Sequence, residues 1–467
     1  MTEFVLNREL HKTELPKGMV LLDYIRSHAH LKGTKITCRE GDCGACTVLL
    51  GTLKGEEIHY DTIVSCISPL GMVHGKHVVT IEGVNVDGLN PVQQFLQKNH
   101  ATQCGFCTPG FIMSLTGSLL HDNKLSIQEQ VSGNICRCTG YKSIINAISD
   151  LEYSLQLKNF KPSLKHAVSH GFVQDYFLHI PEMLKKIPSQ SGNKKMKWIG
   201  GATDLFVQKP DKLHDQEMYF TLDNQELKYI EIEQKRIRIG ASVTTSEILE
   251  SELLNTYFSS LKEDMLLISS QQIRNTATVG GNLINASPIG DLAIWFLALD
   301  GDVELFDLET EAKRLISLKD FFIEYKVTAI KKDEILTAIL FDIPENNDFF
   351  SFEKVSKRTY LDIASVNSAC NMKMENGRLK QIYLSAGGVA PVPLRLRLTE
   401  NFLNNKKPEA ANLIKAIEIM FTEIRPIDDI RGSAMYKKLL LRQLFLAHFE
   451  KIVPDVVIPE IIKNQAG

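Results

Sequence analysis

Apolar and polar positions alternate through Met1 to Leu10 as in a strand with one buried face, and Phe4-Val-Leu opens that strand. Leu21, Leu22 and Ile25 give one apolar face to a short helix. Thr47-Val-Leu-Leu50 reads as a buried strand, Ile63-Val-Ser-Cys66 as the end of another, and Val78-Val-Thr-Ile81 as the strand that closes a small sheet. From 90 to 157 the period becomes helical. Pro91 starts a helix through Val92, Phe95 and Leu96; Thr108-Pro109 supplies an N-cap with Pro at the first helical position; Phe111, Ile112, Leu115 and Leu119 form its stripe. Ser126-Ile-Gln-Glu129 is a capping box for a short helix ending at Gly133, and Tyr141, Ile144, Ile145, Ile148 and Leu151 face one side of a fourth helix. Residues 158–175 lack clear periodicity and read as a linker. From about 176 to 345 strands alternate with helices: Lys197-Trp-Ile ends in Gly200-Gly201, Ile237-Arg-Ile-Gly-Ala heads a helix at Thr245, and Thr276-Ala-Thr-Val runs into Gly280-Gly281. The last section has strands around Ile382-Tyr-Leu and helices near 408–424 and 433–449, with Pro426 and Gly432 between them. No repeat of solenoid period and no low-complexity tract interrupts the series.

Composition adds bounds. A chain of 467 residues, 44% hydrophobic and 23% charged, has the make-up of a soluble globular protein with about two to four domains. The net charge of −3 points to neither nucleic acid nor a membrane surface. No apolar run has membrane-spanning length and the N-terminus has no signal-peptide core, so the cytoplasm is the expected compartment. Of nine cysteines, eight fall at 38, 43, 46, 66, 104, 107, 136 and 138; only Cys370 lies elsewhere. In a cytoplasmic chain that distribution argues for metal binding rather than disulfides.

Cys38, Cys43 and Cys46, followed at a distance by Cys66, have the plant-type spacing of a [2Fe–2S] cluster. Gly41 and Gly44 let the loop turn its amides toward the sulfurs. Zinc is the alternative, though glycines inside such a loop are unusual for it. The second set, Cys104-x2-Cys107 with Cys136-x-Cys138, suits one zinc ion poorly, because neighbouring thiolates must bend to a single centre. Both of its halves precede helices, whose N-termini favour an anionic group. Gly200-Gly-Ala-Thr-Asp204 and Thr278-Val-Gly-Gly-Asn282 are turns where amides can approach a diphosphate; a plain tight turn is the alternative for each. Neither matches G-x-G-x-x-G, and no Walker A pattern is present. Asp291 could equally cap the helix Leu292–Leu299. Lys354, Lys357 and Arg358 read as a solvated charge run, His28, His30, His74 and His77 as surface histidines, and Cys370 as a half-buried core residue. The chain shows no acid–base or nucleophile constellation for a substrate.

Taken together the motifs resemble the iron–sulfur and flavin part of the molybdenum hydroxylases, the xanthine dehydrogenase family. Gly33-Thr-Lys35 leading to Glu40-Gly-Asp-Cys-Gly-Ala-Cys-Thr47 looks like its first cluster signature. Gln103-Cys-Gly-Phe-Cys-Thr-Pro-Gly110 with Gly133-Asn-Ile-Cys-Arg-Cys-Thr-Gly-Tyr141 looks like its second. The run from Ala277 to Asp291 resembles its FAD loop; Ala386 to Pro393 and Asp429 to Ala434 resemble its flavin C-terminal domain. The resemblance implies a multidomain α+β chain: a β-grasp [2Fe–2S] ferredoxin domain (1–87), a four-helix [2Fe–2S] domain (88–157), a linker (158–175), a vanillyl-alcohol-oxidase-like FAD-binding domain (176–346) and a small α+β flavoprotein C-terminal domain (347–467). It implies two [2Fe–2S] clusters, on Cys38, Cys43, Cys46 and Cys66 and on Cys104, Cys107, Cys136 and Cys138. It also implies FAD held by Ile199, Gly200, Gly201, Ala202, Thr203, Asp204, Leu205, Ile268, Thr278, Val279, Gly280, Gly281, Asn282, Asp291 and Lys354. No molybdopterin domain is expected after Gly467. The chain therefore looks like the small subunit of the family's two-subunit bacterial members, paired with a molybdopterin-bearing large subunit in a heterotetramer of two small and two large chains. Electrons from hypoxanthine or xanthine oxidation would pass through the second cluster, the first cluster and FAD to NAD. An aldehyde or other heteroaromatic hydroxylase, a stand-alone iron–sulfur flavoprotein reductase and a zinc-binding interaction protein are the alternatives. Two positions depart from the family's pattern: Thr37 stands where Gly usually precedes the first cluster cysteine, and Ile268 where an aromatic sits beside the flavin.

Overall fold

The computed structural model describes residues 1–85, 88–122, 125–193, 195–345 and 348–457. The expected domain limits at 87, 346, 347 and 467 fall outside these. The chain forms two compact units, Met1–Leu222 with Ser269–Ala277, and Asp223–Ile268 with Thr278–Gly467.

The first unit opens with a five-stranded sheet, β1 (Thr2–Leu6), β2 (Glu9–Thr13), β3 (Thr47–Lys54), β4 (Glu57–Val64) and β5 (His77–Val79), in the order β2-β1-β5-β3-β4. The last strand in sequence sits at the centre, parallel to β1 and antiparallel to β3. Period two explains the apolar run in β3. Val48 and Leu50 face a cluster with Phe4, Leu21, Ile25 and Val78, while Leu49 faces one with Val5, Val79, Phe111 and Leu115. Both faces of the sheet are thus covered, the second by the helices Pro91–Lys98, Thr108–Gly117, Ile127–Gln130 and Lys142–Leu157. The Thr108–Gly117 helix is buried from Gly110 onward; a Cβ at Gly117 would stand 2.6 Å from Thr62 Cγ2.

Some local expectations change. The Thr108–Gly117 helix is capped by Cys107, not Thr108, whose hydroxyl lies 3.0 Å from that of Thr102. Residues 158–175 contain the helix Leu164–Ser169, and Ala167, Phe172 and Val173 join the helical core, so the segment packs rather than tethers. His77 is fully buried rather than on the surface. Tyr60 Oη lies 2.8 Å from its Nδ1 and the Asn7 carbonyl 2.7 Å from its Nε2.

Burial holds the His77 imidazole down at about 3, against an ordinary 6.5. The unfolded chain therefore takes up a proton that the folded chain refuses between those values. Stability from this site is complete above about pH 6.5 and falls as pH drops, by about 1.4 kcal/mol per pH unit. His77→Gln is expected to flatten the decline of the urea midpoint between pH 7 and pH 5.

A parallel pair, β6 (Lys197–Ile199) and β7 (Met218–Phe220), completes the first unit together with Ser269–Ala277. The second unit has an antiparallel sheet of β8 (Ile230–Glu233), β9 (Arg236–Gly240), β10 (Asp302–Asp307), β11 (Lys313–Ser317) and β14 (Glu334–Asp342) in the order β11-β10-β14-β9-β8, beside the hairpin β12 (Phe322–Glu324) and β13 (Val327–Thr328). A second antiparallel sheet runs β15 (Asp348–Val355), β16 (Val366–Glu375), β17 (Arg378–Gly387) and β18 (Leu394–Arg395). Helices Ala410–Glu423 and Ala434–Glu450 bury Leu413, Met420, Leu441 and Phe445 with Met372 and Leu384 of that sheet. Cys370 lies fully inside the same core, and burial pushes its thiol well up. Thr276–Val279 is not a strand: Gln271–Arg274 and Val279–Asn285 are helical, and Thr278 makes only an isolated bridge to Thr244. Among the described residues no helix is long and apolar enough to cross a membrane.

Candidate functional site

The first cysteine loop lies between the turn after residue 30 and β3. Arg39, Gly41 and Gly44 take φ of 58°, 74° and 67°, and Arg39 is fixed by two bonds of 3.0 and 2.7 Å to the Asp23 carboxylate. Thr37 has no left-handed φ, so its Cβ brings no backbone strain in place of the family's glycine. Cys38 and Cys43 Sγ are 3.3 Å apart, and the Glu40 amide points at Cys38 Sγ from 3.5 Å. Cys46 ends the loop. Cys66 sits in the turn Ser65–Ile67 after β4, where the Ser65 hydroxyl donates to the Cys46 carbonyl at 2.8 Å. Hydrogen bonding from the Cys43 and Cys66 thiols, the largest influences, holds Cys38 down and correspondingly pushes those two up.

In the second set, Cys138 Sγ lies 3.7 Å from Cys104 and 3.8 Å from Cys136. Burial opposes ionisation of Cys136, but the Thr139 hydroxyl and amide bring its thiol to about 7. Burial, then the Cys136 thiol, pushes Cys107 up to about 12. Two sulfurs on one tetrahedral ion, each at about 2.3 Å, stand about 3.8 Å apart. Cys38 with Cys43, and Cys138 with both Cys104 and Cys136, lie near that spacing, so in each set sulfurs are already close enough to share a metal centre. Nothing in the sulfur donor set requires zinc.

The two loops touch. The Ile135 amide donates to the Cys43 carbonyl at 3.0 Å, and a Cβ on Gly110 would land on the Gly44 carbonyl. Asn134 gives its Nδ2 to Gly44 O at 3.1 Å and receives Ser114 Oγ at 2.7 Å and Gln272 Nε2 at 3.0 Å. This buried network joins a first-loop carbonyl, the second-set helix and the Ser269–Ala277 segment. Sequence reasoning missed Asn134, Ser114 and Gln272, because no local pattern links residues so far apart.

The first glycine turn follows β6. Ile199 and Phe206 share a hydrophobic cluster with Cys46, Cys66 and Ile67, so the turn starts beside the first cysteine set. Ala202 takes φ 63°, and the N–H groups of Gly200, Gly201 and Ala202 have no hydrogen-bond partner among the described residues. A Cβ at Gly201 would land on the Thr276 carbonyl. Free amides in a turn that excludes side chains fit a diphosphate. The helix Thr203–Gln208, which includes Thr203, Asp204 and Leu205, begins directly after it. Gly201→Ala is expected to lower the FAD content of the purified protein while leaving its iron content near the parent value, since the displaced atoms belong to the turn and not to the cysteine loops.

In the second unit the other turn behaves differently. Val279 N donates to Val243 O at 2.9 Å, Gly280 N to Ala241 O at 2.8 Å, Gly281 N to Thr278 Oγ1 at 3.1 Å and Asn282 N to Thr278 O at 3.0 Å. Its amides are engaged within the protein, so the expectation of a second amide cradle is corrected. What it can offer are donors on the Thr278 hydroxyl and the Asn282 amide. Asp291 does not cap its helix. Gly290 occupies that position, and the Asp291 carboxylate takes Lys354 Nζ at 2.8 Å and Asn367 Nδ2 at 2.6 Å. Lys354 also donates to the Leu267 carbonyl at 2.7 Å and is 1% exposed, so it belongs to the interior rather than to a solvated run; Arg358, by contrast, is exposed. Ile268 is buried next to that carbonyl.

Four domain families match in succession: the 2Fe-2S iron-sulfur cluster binding domain over residues 4–70, the [2Fe-2S] binding domain over 80–149, the FAD binding domain in molybdopterin dehydrogenase over 175–345 and the CO dehydrogenase flavoprotein C-terminal domain over 351–452. Xanthine dehydrogenase of Emericella nidulans is 30% identical over 94% of this chain and 37% of its own length. Xanthine dehydrogenase 1 of Arabidopsis thaliana is 30% identical over 93% and 38%. The chain thus spans well under half the length of these relatives. A Cu,Mo-CO dehydrogenase structure superposes with a TM-score of 0.51 at 25% identity, covering 54% of this chain and 87% of its own. Quinoline 2-oxidoreductase from Pseudomonas putida 86, at 0.50 and 20%, shares the fold.

Proposed function

We infer, for a chain that belongs to the xanthine dehydrogenase family of molybdenum hydroxylases and is an oxidoreductase of that family, the role of its iron–sulfur/FAD electron-transfer subunit. Cys38, Cys43, Cys46 and Cys66 would hold one [2Fe–2S] cluster, and Cys104, Cys107, Cys136 and Cys138 the other. Residues Ile199–Leu205, Ile268, Thr278–Asn282, Asp291 and Lys354 would serve FAD. When bound, the clusters supply one-electron transfer and the flavin couples it to two-electron chemistry. The partner would be a molybdopterin-binding chain in the cytoplasm, two copies of each, with hypoxanthine and xanthine as substrates and NAD as acceptor.

One observation carries the reading. The second cysteine loop is hydrogen-bonded to the first through Ile135 and Cys43, and the first packs Cys46 and Cys66 against the strand that enters the open glycine turn. That order, second set to first set to diphosphate turn, is the order an electron relay needs. The role of this chain is to fix those spacings and keep water from the buried sulfurs of Cys46 and Cys66.

A second substrate class, aldehydes or other heteroaromatics, is the rival within the same subunit role. The residues that discriminate would lie on the molybdenum chain. Expression together with the adjacent reading frames, then assay of the purified assembly with hypoxanthine and xanthine against NAD+ and oxygen, tests the proposal. Turnover of aldehydes without xanthine would overturn the substrate. Purification without any molybdopterin-bearing chain would favour a stand-alone reductase.

A further inference from the structure

Away from both cysteine sets, β4 places His59 and Asp61 two residues apart and so on one face of the sheet. His121, just beyond the Thr108–Gly117 helix, reaches the same spot from a segment whose backbone bridges Ser163. The His59 and His121 ring centroids are 4.0 Å apart, and His59 Nε2 lies 3.7 Å from Asp61 Oδ1. One ligating atom from each of the three residues lies within 4.8 Å of the other two. The 3.7 Å gap is too long for a hydrogen bond. It is close to the separation of about 3.3 Å between two ligands on one tetrahedral ion at about 2.0–2.1 Å.

A second, independent feature points to a ligand. Nδ1 of His121 is buried and has no hydrogen-bond partner, which is costly unless something occupies it. His59 and Asp61 are 28% and 30% exposed, so the group has an open side through which an ion can enter and a water can complete its coordination. We propose that His59, Asp61 and His121 form a binding site for a divalent transition ion of the zinc type, separate from the two tetrathiolate sets. Two imidazoles and a carboxylate with one open position make a donor set that zinc accepts.

Two of the three groups hold the protonation state that a metal ligand needs. Burial, followed by the neighbouring His59, lowers His121 to about 4, so the ring is neutral and ligand-ready at pH 7. Burial works against Asp61, but His59, His121 and Lys54 outweigh it and bring the carboxyl to about 2. Lys54 is a cation near the site, and the ionised Asp61 counters its repulsion of the metal. Bound zinc would clasp β4 of the sheet to the segment that follows the second-set helix, stiffening the scaffold between the two cysteine sets.

The test uses the oxidised holoprotein, with iron and FAD in place, dialysed to equilibrium against micromolar Zn2+. Zinc and iron per chain are then counted, and X-ray absorption at the zinc edge reports the ligands. The expected result is one zinc per chain with only nitrogen and oxygen neighbours and no loss of iron. His121→Ala and His59→Ala should each abolish uptake. The isosteric Asp61→Asn, checked for an unchanged far-UV circular dichroism spectrum, should weaken it by more than about tenfold, the smallest loss typical even of outer-shell partners. No uptake by the parent, uptake unchanged in Asp61→Asn, or zinc–sulfur distances near 2.3 Å with iron lost would each overturn the site.

Discussion

Serine in place of Cys66 is expected to remove half of the chain's cluster iron and one of two low-temperature EPR signals of the reduced protein. A serine hydroxyl does not supply the thiolate an iron needs, and Cys66 is 4% exposed, so no water-borne ligand easily replaces it. The energetic consequence is local. Tetrathiolate metal sites contribute on the order of 10 kcal/mol, comparable to the whole stability of a small domain. The loop Cys38–Cys46, with its left-handed residues, should therefore lose its order in the variant, and Ile199 and Phe206 should lose part of their packing with it. Cys136→Ser should remove the other signal and spare the first. If both signals survive in either variant, the division of the eight cysteines into these two sets is wrong. Iron analysis with EPR of both variants reads the outcome directly.

Lys354→Met is the second large effect, with an expected loss of about 3–5 kcal/mol, the usual cost of stranding a buried charge. The methionine keeps the length of the stem, but Asp291, 11% exposed, is left without its cation and the Leu267 carbonyl without its donor. Urea unfolding followed by tryptophan fluorescence suits the measurement, because Trp295 lies in the helix that Asp291 begins. The FAD content should fall in parallel. Asp291→Asn combined with Lys354→Met should recover much of the loss, since the double variant buries no lone charge. A double variant as unstable as Lys354→Met would assign the effect to packing of the stem instead.

These two sites were legible to very different degrees. The eight cysteines declare themselves through short spacings, because a cluster loop must be local to converge its sulfurs. The glycine turns declare themselves as turns, yet their roles split only in three dimensions. Gly201 leaves open amides, whereas at Gly280 a Cβ would crowd Ala241 and the amide donates to that residue's carbonyl. Lys354 sits beside other cations in sequence and so reads as solvated; its partner is 63 residues away, beyond any local pattern. His77 fails for the same reason, with Asn7 70 residues upstream as its acceptor. The strands and helices of the C-terminal section were legible because amphipathic period and punctuation by Pro426 and Gly432 are local signals.

Gln272 closes its bond to Asn134 across 138 positions of chain, and Asn275 reaches Thr62 across 213. At a synthesis rate of about 5–20 residues per second, the Asn134 amide emerges on the order of ten seconds before Gln272 exists. During that interval a nascent chain has an unfinished polar seam beside its first cysteine loop. The polar seam beside the first cysteine loop therefore closes only once the Ser269–Ala277 segment has been made and has joined the first unit.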